Sequence, residues 1–278
     1  MRPGLVVNVA LSTLVHTLSG FVATPSPFKK VRPNMHTPEM RRKLFSHDRP
    51  DIIYAIGDVH GCFDLLQALQ QKILDDAAQQ HGSKWIVMLG DYVDRGPKSS
   101  YVIHELMQPM TGDTERFCLA GNHEQTMLDF LADPRRDHLW LQFGGMETLR
   151  SYGIGEIPDD LKAFRAQLHQ MIPADHISFM ASLPSLLAVP GLCFVHAGVV
   201  NGIPLQRQED KNLLWIRPKD QTMPGADNLF LTIHGHTPVR SVSLTDNRLN
   251  VDTGAFMTGR LSAVKITRGG DITVMHAE

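Results

Sequence analysis

Apolar residues along this chain come in short runs that stop at glycine followed by a charged, amide or imidazole side chain. Ile52-Ile53-Tyr54-Ala55-Ile56 ends at Gly57-Asp58-Val59-His60-Gly61. Trp85-Ile86-Val87-Met88-Leu89 ends at Gly90-Asp91-Tyr92-Val93-Asp94-Arg95-Gly96, and Arg116-Phe117-Cys118-Leu119-Ala120 ends at Gly121-Asn122-His123-Glu124. Such runs, bounded by turn residues, read as buried strands feeding tight loops. Helical spacing follows the first loop, where Phe63, Leu65, Leu66, Leu69, Ile73 and Leu74 recur with Asp75, Asp76 and Gln79 on other faces. A second helix is predicted over residues 100–110, and 127–131 starts a third. Successive strand–loop–helix units require crossover connections, so the sheet they build is largely parallel.

Residues 133–183 lack a strand pattern. Trp140, Leu141, Phe143, Met146 and Leu149 form a helical face interrupted by Gly144-Gly145, and Leu161, Phe164, Leu168, Ile172, Ile177, Phe179 and Met180 continue helically. This stretch is expected to be a helical insert or cap. Strands return with Leu186–Val189 and Leu192–Val195 around the turn Pro190-Gly191. The second of these ends at His196-Ala197-Gly198. Residues 229–233 lead to His234-Gly235-His236-Thr237-Pro238, 249–251 lead to Asp252-Thr253-Gly254, and 261–266 and 272–275 close the chain. Their hairpin-like spacing predicts a second, mixed or antiparallel sheet. The expected fold is therefore α/β, a sandwich of two sheets with helices outside.

The first fifty residues differ. Residues 5–23 are moderately apolar but carry Asn8, Ser12, Thr13, His16, Thr17 and Ser19. They are too polar for a membrane span and have no clean small-x-small cleavage site. Residues 24–50 hold Pro25, Pro27, Pro33, Pro38 and Pro50 among many basic residues, a composition that suits a tail. Order is expected to begin at Asp51, giving a poorly ordered extension over 1–50 and a catalytic domain over 51–278.

Composition narrows the classes. With 27 Lys plus Arg against 29 Asp plus Glu, the chain has no basic field for nucleic acid and no acidic bias toward disorder. Three scattered cysteines, Cys62, Cys118 and Cys193, do not make a disulfide framework and suit a reducing, cytoplasmic setting. Neither a nucleic-acid nor a membrane partner is expected, and a monomer is expected. Fourteen histidines is a high count, and several lie beside glycine at strand ends. If the loops converge, carboxylate, imidazole and amide oxygen gather with no thiolate. That donor set suits manganese, iron or zinc. Two ions about 3.5–4 Å apart, bridged by one carboxylate, would use so many ligands, and Asp91, central in order, is the natural bridge. Arginine adds a fork that fits phosphate oxygens.

In order and spacing, Gly57–Gly61, Gly90–Gly96 and Gly121-Asn122-His123-Glu124 resemble the three signatures of the phosphoprotein phosphatase (PPP) family of metallophosphoesterases. His196-Ala197-Gly198 and Gly235-His236-Thr237-Pro238 resemble its two later histidine motifs, and bacterial and phage serine/threonine phosphatases are closest in style. The resemblance runs from Asp51 to the C-terminus. It implies a calcineurin-like β-sandwich of two mixed sheets flanked by helices. It implies two divalent ions, manganese foremost, one on Asp58, His60 and Asp91 and the other on Asp91, Asn122, His196 and His236. It implies that His123 protonates the leaving group and Asp94 orients it, and that Arg95, Asn122, His123 and Arg217 hold the phosphate. A hydroxide shared by the metals attacks directly, with no phospho-enzyme. The implied substrate is phosphoserine or phosphothreonine in a protein or peptide. Many members have Arg just before Gly-Asn-His-Glu. Here the residue is Ala120, so that phosphate contact is either absent or supplied elsewhere.

Each residue alone has a plainer reading. Asp58 or Asp91 could close an Asx turn, and Asn122 could occupy a left-handed position. His196 and His236 could be satisfied histidines near the core, Arg217 a surface arginine, and Glu124 a helix cap. His234 lies on the same strand face as His236, and His236 matches the motif. Trp140 and Gly144-Gly145 could wall the substrate, though helix packing is the simpler expectation. Two rivals remain: symmetrical dinucleoside tetraphosphate hydrolysis and a catalytically silent metal-binding adaptor.

Overall fold

The chain enters the described fold at a sheet edge. The structure, a computed structural model, describes residues 40–110, 112–217 and 230–278. Lys43–Phe45 (β1) pairs in parallel with Leu186–Val189 (β5). Order therefore begins before Asp51, and the expected extension over 1–50 is corrected: residues 40–50 belong to the domain. Residues 1–39, with the moderately apolar stretch 5–23 and four of the five prolines named over 24–50, lie outside the described residues. Arg41 shows what holds this entry. It is buried, and its guanidinium donates to the carbonyls of Met180 and Leu183, both at 3.0 Å, and to Gln125 Oε1 at 2.8 Å. Its backbone N–H donates to Asp210 Oδ2. A three-residue, half-exposed strand gives no apolar run, so pattern alone could not reveal it.

Ile52–Ile56 (β2), Lys84–Met88 (β3) and Thr114–Cys118 (β4) form parallel neighbours. The crossovers run through Phe63–Ala78 (α1) and Ser99–Met107 (α2). Leu261–Thr267 (β10) and Ile272–Ala277 (β11) add antiparallel on the other edge, giving the order β11-β10-β2-β3-β4. The second sheet runs β1-β5-β6-β7-β9-β8, where β6 is Leu192–Val195, β7 Leu231–His234, β8 Ser243–Thr245 and β9 Arg248–Asn250. Of the stretch expected over 229–233, Leu229 lies outside the described residues. Both sheets are mixed, as the resemblance implies; the spacing predicts a largely parallel first sheet, and the two antiparallel pairings of β10 correct that.

Period-two alternation sorts the side chains into layers. Ile53, Ala55, Val87, Leu89, Phe194, Ile233, Leu249 and Val264 pack between the sheets. Tyr54, Ile56, Ile86 and Met88 point the other way, onto Leu66, Leu69 and Ile73 of α1. Strands β2 and β3 read as continuous apolar runs because both of their faces are covered. Each such Leu or Ile contributes about 1.5–3 kcal/mol on full burial.

The third helix, Asn122–Ala132 (α3), starts five residues before the expected one, at Asn122 rather than Met127. The segment 133–183 is helical as expected: a 3-10 turn at Leu139–Phe143, then Gly145–Ser151 (α4), Leu161–Met171 (α5) and Ala174–Ser182 (α6). Two short helices, Asp210–Trp215 (α7) and Ala255–Thr258 (α8), have no periodic signal long enough to find. Among the described residues no helix is long and apolar enough to cross a membrane.

Arg41 generates a prediction. Arg41→Met removes donors from two buried carbonyls and should lower stability by about 2–3 kcal/mol in urea unfolding. A loss below about 0.5 kcal/mol, the size of an ordinary surface substitution, would show that this segment does not anchor the fold.

Candidate metal centre

All the loops singled out by sequence leave the C-terminal ends of parallel strands, the edge where α/β sheets place their sites. Asp58 and His60 follow β2, Asp91 to Arg95 follow β3, His196 follows β6 and His236 follows β7. Asn122 and His123 form the first turn of α3, beyond β4.

Asp91 is the hub. Its Oδ2 faces His60 Nε2 at 3.5 Å and His123 Nε2 at 3.9 Å, while its Oδ1 faces His196 Nε2 at 3.4 Å. Ligand-type atoms of His60, Asp91 and His123 lie within 4.8 Å of one another, as do those of Asp91, His196 and His236. One carboxylate thus belongs to both groups. Asn122 Oδ1 joins the second, 2.9 Å from His196 Nε2 and 2.9 Å from His236 Nδ1. Asp58 lies behind His236, accepting its backbone N–H on Oδ2 at 2.9 Å. Arg95 forks between two imidazoles, 2.8 Å from His60 Nε2 and 3.0 Å from His123 Nε2. Arg217 is exposed at the rim of a cleft of about 450 Å³ that Arg95, Phe143, His236 and Phe256 also line. His234 is buried, with its Nδ1 on the Gly235 carbonyl at 3.0 Å, and stands outside both groups.

The donor set fits divalent metal. A carbonyl can only accept, so His60 Nδ1 at 2.8 Å from the Val93 carbonyl and His196 Nδ1 at 2.9 Å from the Leu89 carbonyl both carry the proton. The Nε2 lone pairs of both rings then face the cluster, as metal-ligating imidazoles do. His196 Nε2 and Asn122 Oδ1 become two acceptors turned on each other, an arrangement that a cation between them resolves. Asp58 Oδ1 and His236 Nε2 are buried without a hydrogen-bond partner. Burial holds His60 and His236 neutral, pushing each down to about 3. Burial raises the Asp58 carboxyl well above its usual range, and Asp252 and Asp91 add to the rise. Carboxylates this crowded need positive charge among them.

His123 has a different neighbour. Its Nδ1 lies 2.5 Å from Asp94 Oδ2, and both side chains are buried. Burial would lower the His123 pKa, but the carboxylates of Asp91 and Asp94 outweigh it and hold it above its ordinary value. Asp94 also accepts from Trp140 Nε1 and Thr148 Oγ1.

Glu124 does more than cap a helix. Fully buried, it accepts backbone N–H groups from Gly121 (2.8 Å), Asp91 (3.0 Å), Tyr92 (2.7 Å) and Val93 (3.2 Å). The Gly121 bond is the half of a capping box that its spacing signals. The other three come from a loop some thirty residues away in sequence, for which spacing holds no signal. Gly121 itself must be glycine, because a Cβ there would lie 2.1 Å from Asp91 Oδ1. Thr148 and Asp252 are further residues that sequence reasoning did not bring to the site, and Trp140, weighed there as a substrate wall or as helix packing, is instead buried with its indole N–H on Asp94.

Glu124→Gln turns one acceptor oxygen into a donor facing backbone N–H groups. Displacing the loop that carries Asp91 should weaken manganese binding by about 10–100-fold in calorimetric titration. Unchanged affinity would show that Glu124 only starts the helix.

Comparison with known proteins places the fold and the family. A bis(5'-nucleosyl)-tetraphosphatase PrpE [asymmetrical] from Bacillus mycoides is 24% identical over 230 residues, covering 76% of this chain and 88% of that protein. The solved cold-active protein-tyrosine phosphatase of a psychrophilic Shewanella is similar in fold, with a TM-score of 0.55, 18% identity, and coverage of 86% of this chain and 83% of that one. A protein serine/threonine phosphatase from Saccharomyces cerevisiae gives a TM-score of 0.51 at 15% identity, with the same coverage of 86% and 83%. The family model for calcineurin-like phosphoesterases matches residues 52–264, which contain every residue of the cluster, and the chain belongs to that family.

Proposed function

We propose that this protein is a metal-dependent phosphomonoesterase whose substrates are phosphoserine and phosphothreonine in proteins. In this reading Asp58, His60 and Asp91 hold one divalent ion, and Asp91, Asn122, His196 and His236 hold a second. Manganese is the expected metal. When bound, the pair would ionise water at neutral pH and neutralise charge on the phosphoryl oxygens.

The chain's own groups do the rest. Arg95 leaves His60 and His123 to fork the phosphate, and Arg217 meets it from the rim. Once Arg95 has moved, His123 Nε2 faces the leaving oxygen and supplies its proton. Asp94 holds Nδ1–H, so the ring keeps one orientation and its positive charge is matched.

The single observation that carries this choice is the buried 2.5 Å contact between His123 Nδ1 and Asp94 Oδ2. Serine and threonine leave as alkoxides, which are expelled badly without a proton. A nucleotide leaving from a polyphosphate is already a stable anion and needs a general acid far less. A site built around a buried acid dyad suits the poor leaving group. The second reading, dinucleoside tetraphosphate hydrolysis, is favoured by the printed names of the Bacillus relatives. The aromatic side chains of Phe143 and Phe256 lining the cleft would suit a nucleobase.

The two readings separate in one experiment. With manganese, the wild-type protein should turn over a phosphoserine peptide faster than diadenosine tetraphosphate. His123→Asn should slow the peptide by about 10²–10⁴-fold and slow 2,4-dinitrophenyl phosphate, with its good leaving group, by about tenfold or less. Faster turnover of diadenosine tetraphosphate by the wild type, with equal losses on both monoesters in the variant, would overturn the phosphoprotein reading.

A further inference from the structure

We propose that Trp140 and Thr148, in the helical segment 133–183, are positioning residues that decide which leaving groups this site can expel, by locking the Asp94 carboxylate against His123 Nδ1. The inference rests on the reading of His123 as the acid for the leaving group.

Both carboxylate oxygens of Asp94 are engaged. Oδ2 takes His123 Nδ1 and the indole N–H of Trp140 at 2.8 Å. Oδ1 takes the hydroxyl of Thr148 at 2.7 Å. The same hydroxyl oxygen accepts the Asp94 backbone N–H at 2.8 Å, with Ser99 Oγ a second acceptor at 3.1 Å. Thr148 therefore clips Asp94 at both its backbone and its carboxylate. Asp94, Trp140 and Thr148 have no solvent exposure, so water cannot replace a lost donor.

The clip has strain to hold. Asp94 and Arg95 sit at φ of 75° and 68°, in the left-handed region that disfavours side chains bearing a Cβ. The Arg95 backbone N–H donates to the Gly144 carbonyl at 3.2 Å. Gly144 lies at φ 103°, and a Cβ there would come within 2.4 Å of Arg95 N. The approach of the insert to the Asp94-Arg95 turn is thus as close as backbone allows. Trp140 is fixed from the far side by Phe130 of α3, with ring centroids 4.7 Å apart. That helix carries His123 in its first turn, so the insert holds both halves of the dyad, the imidazole through α3 and the carboxylate directly.

The geometry separates two duties within the insert. Gln142, Phe143 and Gly144 line the cleft. Trp140 and Thr148 are fully buried and reach the chemistry only through Asp94. A group that acts only through the acid's orienter affects reactions in proportion to their need for the acid. Loss of the clip should therefore narrow the substrates toward good leaving groups without altering phosphate binding.

Thr148→Val keeps the side-chain shape and removes the hydroxyl. It should lower kcat on the phosphoserine peptide by about 10–100-fold, part of the general-acid contribution, and leave 2,4-dinitrophenyl phosphate and both KM values within about threefold. Thr148→Ser should restore the rate on the peptide. Trp140→Phe, which removes only the second donor, should move the ratio between the two substrates the same way. Independently of turnover, the His123 Nδ1–H resonance of 15N-histidine-labelled protein should shift upfield or be lost to exchange in Thr148→Val, and return in Thr148→Ser. Equal losses on both substrates in Thr148→Val, while His123→Asn discriminates between them, would overturn the inference and leave the acid role standing. An unmoved resonance in Thr148→Val would overturn it as well. If His123→Asn itself does not discriminate, the acid role fails and the proposed control of leaving groups falls with it.

Discussion

Backbone strain at the strand ends is the constraint on which the site depends. His60, Asp91, Asp94, Arg95 and His236 all have positive φ, and among the described residues only one other non-glycine, Asp246, does. Each such residue costs about 1–3 kcal/mol, and that cost persists only where surrounding structure over-determines the conformation. The surroundings are specific. The Asp91 carbonyl accepts from Val59 and His60, and the Tyr92 carbonyl accepts from Gly61, which ties the first loop to the second. Glu124 ties the second loop to the third. Asp58 ties the first to the backbone of His236 in the other sheet. The loops are one interlocked backbone network, and the ligand-type atoms converge because the backbones do.

The same network concentrates negative charge. Asp58, Asp91, Asp94, Glu124 and Asp252 are all buried close to one another. Two of them are answered by protein alone. Glu124 faces four N–H groups, and Asp94 faces an imidazole, an indole N–H and a hydroxyl. Asp58 and Asp91 have fewer such partners, and their lone pairs turn inward with those of His60, His196, His236 and Asn122. A buried carboxylate without hydrogen-bonded compensation is costly, so this half of the site is built for cations from outside the chain. One centre thus holds a half whose carboxylates are answered by the chain's own donors and a half whose lone pairs are left for cations.

Two layers of apolar packing supply the rigidity on which this depends. Side chains between the sheets keep β2 and β3 in register with β6 and β7, so Asp58 and Asp91 from one sheet meet His196 and His236 from the other. Arg41 and β1 close the second sheet at its edge. The helical segment 133–183 works as a buttress beneath the dyad as well as a wall of the cleft.

Strands β2, β5 and β6 and the helix α1 were legible in sequence because continuous apolar runs and 3.6-residue stripes are local properties. So were the turn motifs, whose order and spacing picked out Asp58, His60, Asp91, Asp94, Arg95, Asn122, His123, His196 and His236. Strands β1 and β8 were not legible, being three residues long at sheet edges and half exposed. The early start of α3 was hidden because Gly, Asn and His are poor helix formers, and the first turn is held by Glu124 rather than by propensity. Composition and periodicity by themselves determined the layers, the parallel run β2-β3-β4 within the first sheet and the kind of chemistry at its strand ends. Which imidazole nitrogen faces the cluster, and that Trp140 and Thr148 stand behind Asp94, were decided only by tertiary structure. These are contacts between residues tens to more than a hundred positions apart, and linear spacing carries no information about them.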